Sequence, residues 1–170
     1  MPNRKIRLFA CICMCAQLLC SCKTADVNTL KELNDIKNAF SASLTSVSVY
    51  TSSAEEGEAE HIDQGLIAAF FGKDGTFPPE MSGVDEYSFF CASSVGVCEV
   101  WIASCRTYSA ARALSHLFEE RRLYLSKIDF DSDTDAMSAE RAQVILKGKR
   151  VYFICTPCAD DIAAYLNEKS

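Results

Sequence analysis

Residues 87–128 read YSFFCASSVGVCEVWIASCRTYSAARALSHLFEERRLYLSKI. Tyr87–Ser93 and Val97–Ser104 are short aromatic and apolar runs, separated by a connection that holds Gly96. Runs of this kind predict two strands joined as a hairpin. From Thr107 to Ile128 the rhythm changes: Ala110, Leu114, Leu117, Phe118, Tyr124, Leu125 and Ile128 recur at helical spacing. That pattern predicts an amphipathic helix with those residues on one face. Arg121 falls near the middle of the same face, where its stem can lie on the core and its head can pair a carboxylate at the edge.

The same order recurs downstream. Gln143–Leu146, Lys147-Gly148-Lys149 and Arg150–Cys155 predict a second hairpin, and a last helix runs from Thr156 or Pro157 to Glu168. The ββαββα order predicts an α+β fold: a four-stranded antiparallel sheet with helices packed on one face. Upstream, Leu30, Leu33, Ile36 and Phe40 predict a helix over about 27–42. Thr45–Ser53 is rich in Ser and Thr with Val47 and Val49 alternating, which fits a short strand or an extended linker; the linker is the reading adopted. The acidic run 55–60 is read as a solvated helix start, and Ile62, Leu66, Ile67, Phe70 and Phe71 continue that helix to Gly72. Residues 73–83 are a loop. No internal repeat shows in the sequence.

The N-terminus carries a targeting pattern. Arg4, Lys5 and Arg7 precede 13 residues, Leu8–Cys20, in which Gln17 is the strongly polar member. This run is shorter than the roughly 20 residues of a membrane span and fits a secretory signal. Leu19-Cys20-Ser21-Cys22 closes it and resembles a bacterial lipobox, which implies cleavage after Ser21 and a diacylglycerol thioether on Cys22. Acyl chains contribute about 0.8 kcal/mol per buried CH₂, so two or more make a durable anchor. The expected division is a signal peptide over 1–21, an anchor, tether and helix over 22–53, and an α+β domain over 54–170.

The whole chain of 170 residues has 17 basic and 23 acidic side chains, a net charge of −6. Loss of residues 1–21 would leave 14 basic residues and a net charge of −9. Anionic lipid and nucleic acid repel such a domain on average, so no nucleic-acid partner is expected. Of ten cysteines, Cys91, Cys98, Cys105, Cys155 and Cys158 lie beyond Cys22. Five is odd, so at least one stays unpaired within a monomer.

Three stretches resemble a known family. They are Leu66-Ile67-Ala68-Ala69-Phe70-Phe71-Gly72; Val84-Asp85-Glu86-Tyr87 with Val97-Cys98-Glu99-Val100-Trp101-Ile102-Ala103; and Ala142-Gln143-Val144-Ile145-Leu146-Lys147-Gly148-Lys149-Arg150-Val151-Tyr152-Phe153. Together, over roughly residues 60–168, they look like a family of small bacterial lipoproteins catalogued as domain of unknown function 4358. The resemblance implies an outward-facing lipoprotein of a Gram-positive anaerobe. It brings no activity and no catalytic residues with it, and the cysteines are not part of its pattern.

Three constellations could carry chemistry. Cys155-Thr156-Pro157-Cys158 sits where a strand gives way to a helix, with Thr156 as expected N-cap and Pro157 at the first helical position. A helix N-terminus favours a thiolate, so a thiol–disulfide redox turn is one reading. Twelve residues follow Cys158, too few for the rest of a thioredoxin fold, and small apolar packing at the corner is the other reading. Asp129, Asp131, Asp133, Asp135 and Glu140 fall at positions 1, 3, 5, 7 and 12 of a calcium-loop pattern. Thr134 stands where that loop needs Gly, and the alternative is an acidic solvated loop. Cys91, Cys98 and Cys105 read as buried small hydrophobes. A Cys91–Cys98 disulfide across a Ser94-Val95 turn is the alternative, and their seven-residue spacing is not that of a zinc knuckle.

The usual catalytic signatures are thin. His61 and His116 read as solvated, and Trp101 reads as core. No G-x-S-x-G, Walker A or dinucleotide fingerprint occurs in the sequence. The expectation is a lipid-anchored extracytoplasmic module that binds an envelope protein or a small ligand without catalysis, and without a cofactor unless calcium binds.

Overall fold

The computed structural model describes residues 28–72, 75–93 and 96–169. The expected signal peptide, Cys22, the expected tether 23–27 and the expected turn at Ser94-Val95 lie outside them. The elements in chain order are α1 (Thr29–Ala39), β1 (Val47–Thr51), α2 (Gln64–Phe71), a 3₁₀ turn (Pro79–Gly83), β2 (Val84–Ala92), β3 (Glu99–Cys105), α3 (Tyr108–Leu125), α4 (Asp133–Glu140), β4 (Gln143–Lys147), β5 (Arg150–Cys155) and α5 (Ala159–Glu168).

The fold class is α+β, as expected, but the sheet has five strands and not four. The order is β1-β2-β3-β5-β4, and every neighbouring pair is antiparallel. The fifth strand is β1, within the stretch whose pattern leaves a strand and a linker open and which is read as a linker. Its register on β2 runs from Val47↔Ala92 to Thr51↔Ser88. The expected division at residue 53 therefore falls just after a strand of this sheet.

Helices cover both faces, which corrects the expectation of one. Alternation along the strands explains it, since successive side chains point to opposite faces. Phe89, Trp101, Ala103, Val151, Phe153 and Cys155 pack with Ile67 and Phe71 of α2, Leu114, Leu117 and Phe118 of α3 and Ala139 of α4. Phe90, Val100, Ile102, Tyr152 and Ile154 pack with Leu33 and Ile36 of α1 and Ile162 and Leu166 of α5. The central strands are apolar at consecutive positions because both faces are covered.

The helix starts follow their caps. Asp63, Thr107 and Ser132 each accept from the backbone N–H three residues on, which sets the first turns of α2, α3 and α4. The acidic run 55–60 forms turns, and α2 begins only at Gln64. On α3 the buried residues are Ala111, Leu114, Leu117, Phe118 and Leu125. Tyr124 and Ile128, expected on the buried face, are exposed, and Ala111 takes the place expected for Ala110. Two glycines are dictated by geometry. A side-chain carbon on Gly83 would sit 2.6 Å from the Ala110 Cβ, and Gly148 turns the β4–β5 hairpin at φ +60°.

α1 is tied to the sheet by polar contacts as well as by its apolar stripe. Thr29 Oγ1 and Ser88 Oγ lie 2.9 Å apart, and Glu32 accepts from both Arg150 and Tyr152.

Candidate functional site

The least expected arrangement begins with Glu99, the first residue of β3. Its neighbours in register are Cys91 on β2 and Cys155 on β5, so it stands at one end of the central strand with a strand on either side. Its side chain shares a face with Trp101, two residues on. Glu99 is 2% exposed, and a buried carboxylate requires partners. Arg121 supplies them from α3. Its Nε and Nη2 donate to Glu99 Oε1 at 3.2 and 3.0 Å, and Trp101 Nε1 donates to Oε2 at 3.0 Å. Arg121 Nη1 donates to the Phe70 carbonyl at 3.3 Å, and the guanidinium lies 5.2 Å from the centre of the Phe70 ring. Burial raises the Glu99 carboxyl above its ordinary range, and Arg121 and the Trp101 N–H pull it partly back.

Aromatic rings enclose this pair. Trp101 and Phe89 stack with centroids 3.6 Å apart, and Phe71 and Phe70 present their edges to Trp101 at 4.8 and 5.3 Å. Above them a cleft of about 400 Å³ opens between α2 and α3. Phe70, Phe71, Leu117 and Tyr124 form its walls, Ala69 lies on its rim, and Glu120 and Arg121 are its charged lining. Three of the five N–H donors of Arg121 go to Glu99 and Phe70, and two are not used in these bonds. A larger hollow of about 600 Å³ lies between α1, β1 and residues 53–60. Its lining mixes Leu30, Val49 and Ala54 with Asn34, Lys37 and Glu58, with no aromatic wall and no buried charge.

The expected pairing of Arg121 with a carboxylate is therefore present, but at the core and not at the edge. Along α3, Leu114, Phe118, Arg121 and Leu125 follow the spacing of the buried stripe. That spacing is the signal that marks Arg121. In the sequence, Glu99 stands within one of the three stretches that carry the family resemblance. The signal it offered was a lone carboxylate beside a continuous apolar strand. Trp101 is core, as expected.

The other candidates fall differently. Cys155 is fully buried on the α2–α3 face, whereas Cys158 packs against the α1–α5 cluster. Cys158 itself is the N-cap of α5, without a side-chain cap bond. Thr156, expected as that cap, is instead buried. Burial and then the Glu99 carboxylate push the Cys155 thiol far above its ordinary range, the reverse of thiolate activation. Cys155 donates to the Ser138 carbonyl at 3.4 Å. Native chain treated with iodoacetamide at pH 8 is thus expected to react at Cys158 on the order of 100-fold faster than at Cys155. Peptide mapping by mass spectrometry reads the ratio, and equal rates would remove the shield.

Cys91 pairs in register with Glu99, so Cys98 is one step off and faces the other side of the sheet. The five described cysteines are all free. In the acidic segment, Asp133, Asp135 and Glu140 belong to α4, whose 8 residues take up two thirds of the expected loop. Asp135 accepts from the Val97 N–H at 3.1 Å. Asp129, Asp131, Asp133 and Glu140 are exposed, and no group of three metal-ligating side chains comes together among the described residues. His61 Nδ1 lies 3.2 Å from the Ala54 carbonyl oxygen, and His116 is exposed.

These features define an α+β domain with a sheet between two helical layers and a buried ion pair under an aromatic cleft. No protein-family model, curated protein or solved structure matches the chain.

Proposed function

We propose that this chain is a lipid-anchored, outward-facing binding module of a bacterial cell envelope, and that its ligand site is the cleft between α2 and α3. The carrying observation is that cleft: about 400 Å³, walled by Phe70, Phe71, Leu117 and Tyr124, with Arg121 held in place by the buried Glu99. Small-molecule sites are mostly apolar hollows with a few fixed polar groups. The ligand class that fits has an apolar body and one hydrogen-bond acceptor for Arg121. It is a small molecule or the side chain of an envelope partner. The anchor is supported by the N-terminal pattern ending at Cys22 and by the resemblance to small bacterial lipoproteins. No observation favours a Cys155–Cys158 redox turn or a calcium loop over this reading.

The test uses the full chain made in a bacterial host fed an alkyne-tagged palmitate. The tag is expected on the wild type and absent from Cys22→Ala. Purified chain in detergent is then titrated with the apolar fluorophore 1-anilinonaphthalene-8-sulfonate. Saturable binding is expected for the wild type, with at least a tenfold loss in Ala69→Trp, which fills the rim from an exposed position. An untagged wild type overturns the anchor. Unchanged dye affinity in Ala69→Trp, with the melting temperature preserved, overturns the cleft.

A further inference from the structure

Of the cysteine pairings that the sequence suggests, two are divided by the sheet. Cys91 and Cys155 lie on the α2–α3 face, and Cys98 and Cys158 lie on the other. The division itself leaves one pair on a common face. The β3–β5 register ends at Glu99↔Cys155, so Cys98 directly precedes and Thr156 directly follows the last pair, and continuing the register by one step would set them side by side. Thr156 Oγ1 in turn lies 3.5 Å from Cys158 Sγ. Both thiols are partly exposed, so a small oxidant can reach them, while Cys105 and Cys155 are buried. The Cys158 sulfur also acts on Cys98: after burial it is the largest cause pushing that thiol up to about 11.

We propose that Cys98 and Cys158 form a reversible disulfide that fastens the start of β3 to the N-terminus of α5. The oxidant is a low-molecular-weight disulfide. The Cys158 thiolate, having lost its proton to solvent, attacks one sulfur of that disulfide; a mixed disulfide forms and one thiolate leaves. Cys98 then loses its proton and attacks the Cys158 sulfur. The Cys98–Cys158 bond forms and the second thiolate leaves. Two cysteine thiols are oxidised by two electrons, and the external disulfide is reduced to two thiols, which take up the two protons. The raised Cys98 thiol makes it the second attacker, because the thiolate is the nucleophile. Closing residues 99–157 into a loop limits the unfolded chain and raises the melting temperature.

The test treats the full chain in detergent with oxidised glutathione, blocks remaining thiols, digests without reduction and maps the peptides by mass spectrometry. A peptide joining Cys98 to Cys158 is expected, lost in Cys98→Ser and Cys158→Ser and kept in Cys91→Ser and Cys155→Ser. The melting temperature is expected to rise by on the order of 10 °C on oxidation and to return on reduction with a phosphine. A peptide joining any other pair, or Cys98 and Cys158 recovered unlinked, overturns the proposal. Should Cys98→Ser fail to fold, Cys158→Ser and the wild-type map carry the same decision.

Discussion

Replacing Arg121 by alanine is expected to destabilise the protein by about 3–5 kcal/mol, because it leaves a buried carboxylate without its cation. The side chains are 14% and 3% exposed, so solvent screens this pair little. The loss corresponds to roughly 6–20 °C in melting temperature for a domain of this size. Calorimetry or circular-dichroism melting at pH 7 checks it. The double variant Arg121→Met with Glu99→Leu is expected to recover most of the loss, since removing both charges relieves the unpaired group. If Arg121→Ala alone melts within 2 °C of wild type, the ion pair is not the buried contact described.

The pH dependence follows from the same pair. Burial raises the Glu99 carboxyl in the folded state, so the unfolded chain releases this proton at lower pH than the folded one. The stability linked to Glu99 is therefore fully present below the ordinary glutamate range. It is lost as pH rises through the raised, folded value. Glu99→Gln removes this titration. Wild type is expected to lose stability relative to Glu99→Gln as pH rises from 4 upward, and denaturant melts at several pH values read the difference.

The second large effect belongs to Trp101. It is fully buried, stacked on Phe89 and edged by Phe70 and Phe71. Trp101→Ala is expected to cost about 3–5 kcal/mol from lost contacts and the cavity left behind. It also deprives Glu99 Oε2 of its donor, which drives the value toward the upper end. Trp101→Phe keeps much of the volume but not the N–H, so its smaller loss isolates the hydrogen bond. Trp101 is the single tryptophan of the chain. Its emission therefore reports unfolding from the core beneath the cleft, and a urea titration read this way measures every variant that retains it.

Periodicity made much of this architecture legible. β2, β3 and α3 follow from residues 87–128, because alternation and helical recurrence are local properties. The β4–β5 hairpin and α5 follow for the same reason. β1 was only half legible: Val47 and Val49 alternate as in a strand, but five residues flanked by Ser and Thr leave a short strand and an extended linker both open. Its place is decided by β2, about 40 positions away. The assignment of helices to two faces was illegible too. An apolar stripe says that a helix is covered, not by which side of the sheet. The site divides in the same way. Arg121 announced itself by occupying a core position on α3. Glu99 did not, because a glutamate at a strand start reads as solvent-facing until the register surrounds it with Cys91, Trp101 and Cys155.

The order β1-β2-β3-β5-β4 leaves β1 and β4 with one side of backbone donors and acceptors each outside the sheet. Such edges are templates on which another chain can stack and seed aggregation. Both are only five residues long. β4 ends in Lys147, whose ammonium reaches across to the Leu166 carbonyl at 2.6 Å. Brevity and a lysine are the means by which natural sheets discourage strand addition. That restraint works against edge-to-edge stacking of one copy of this sheet on another.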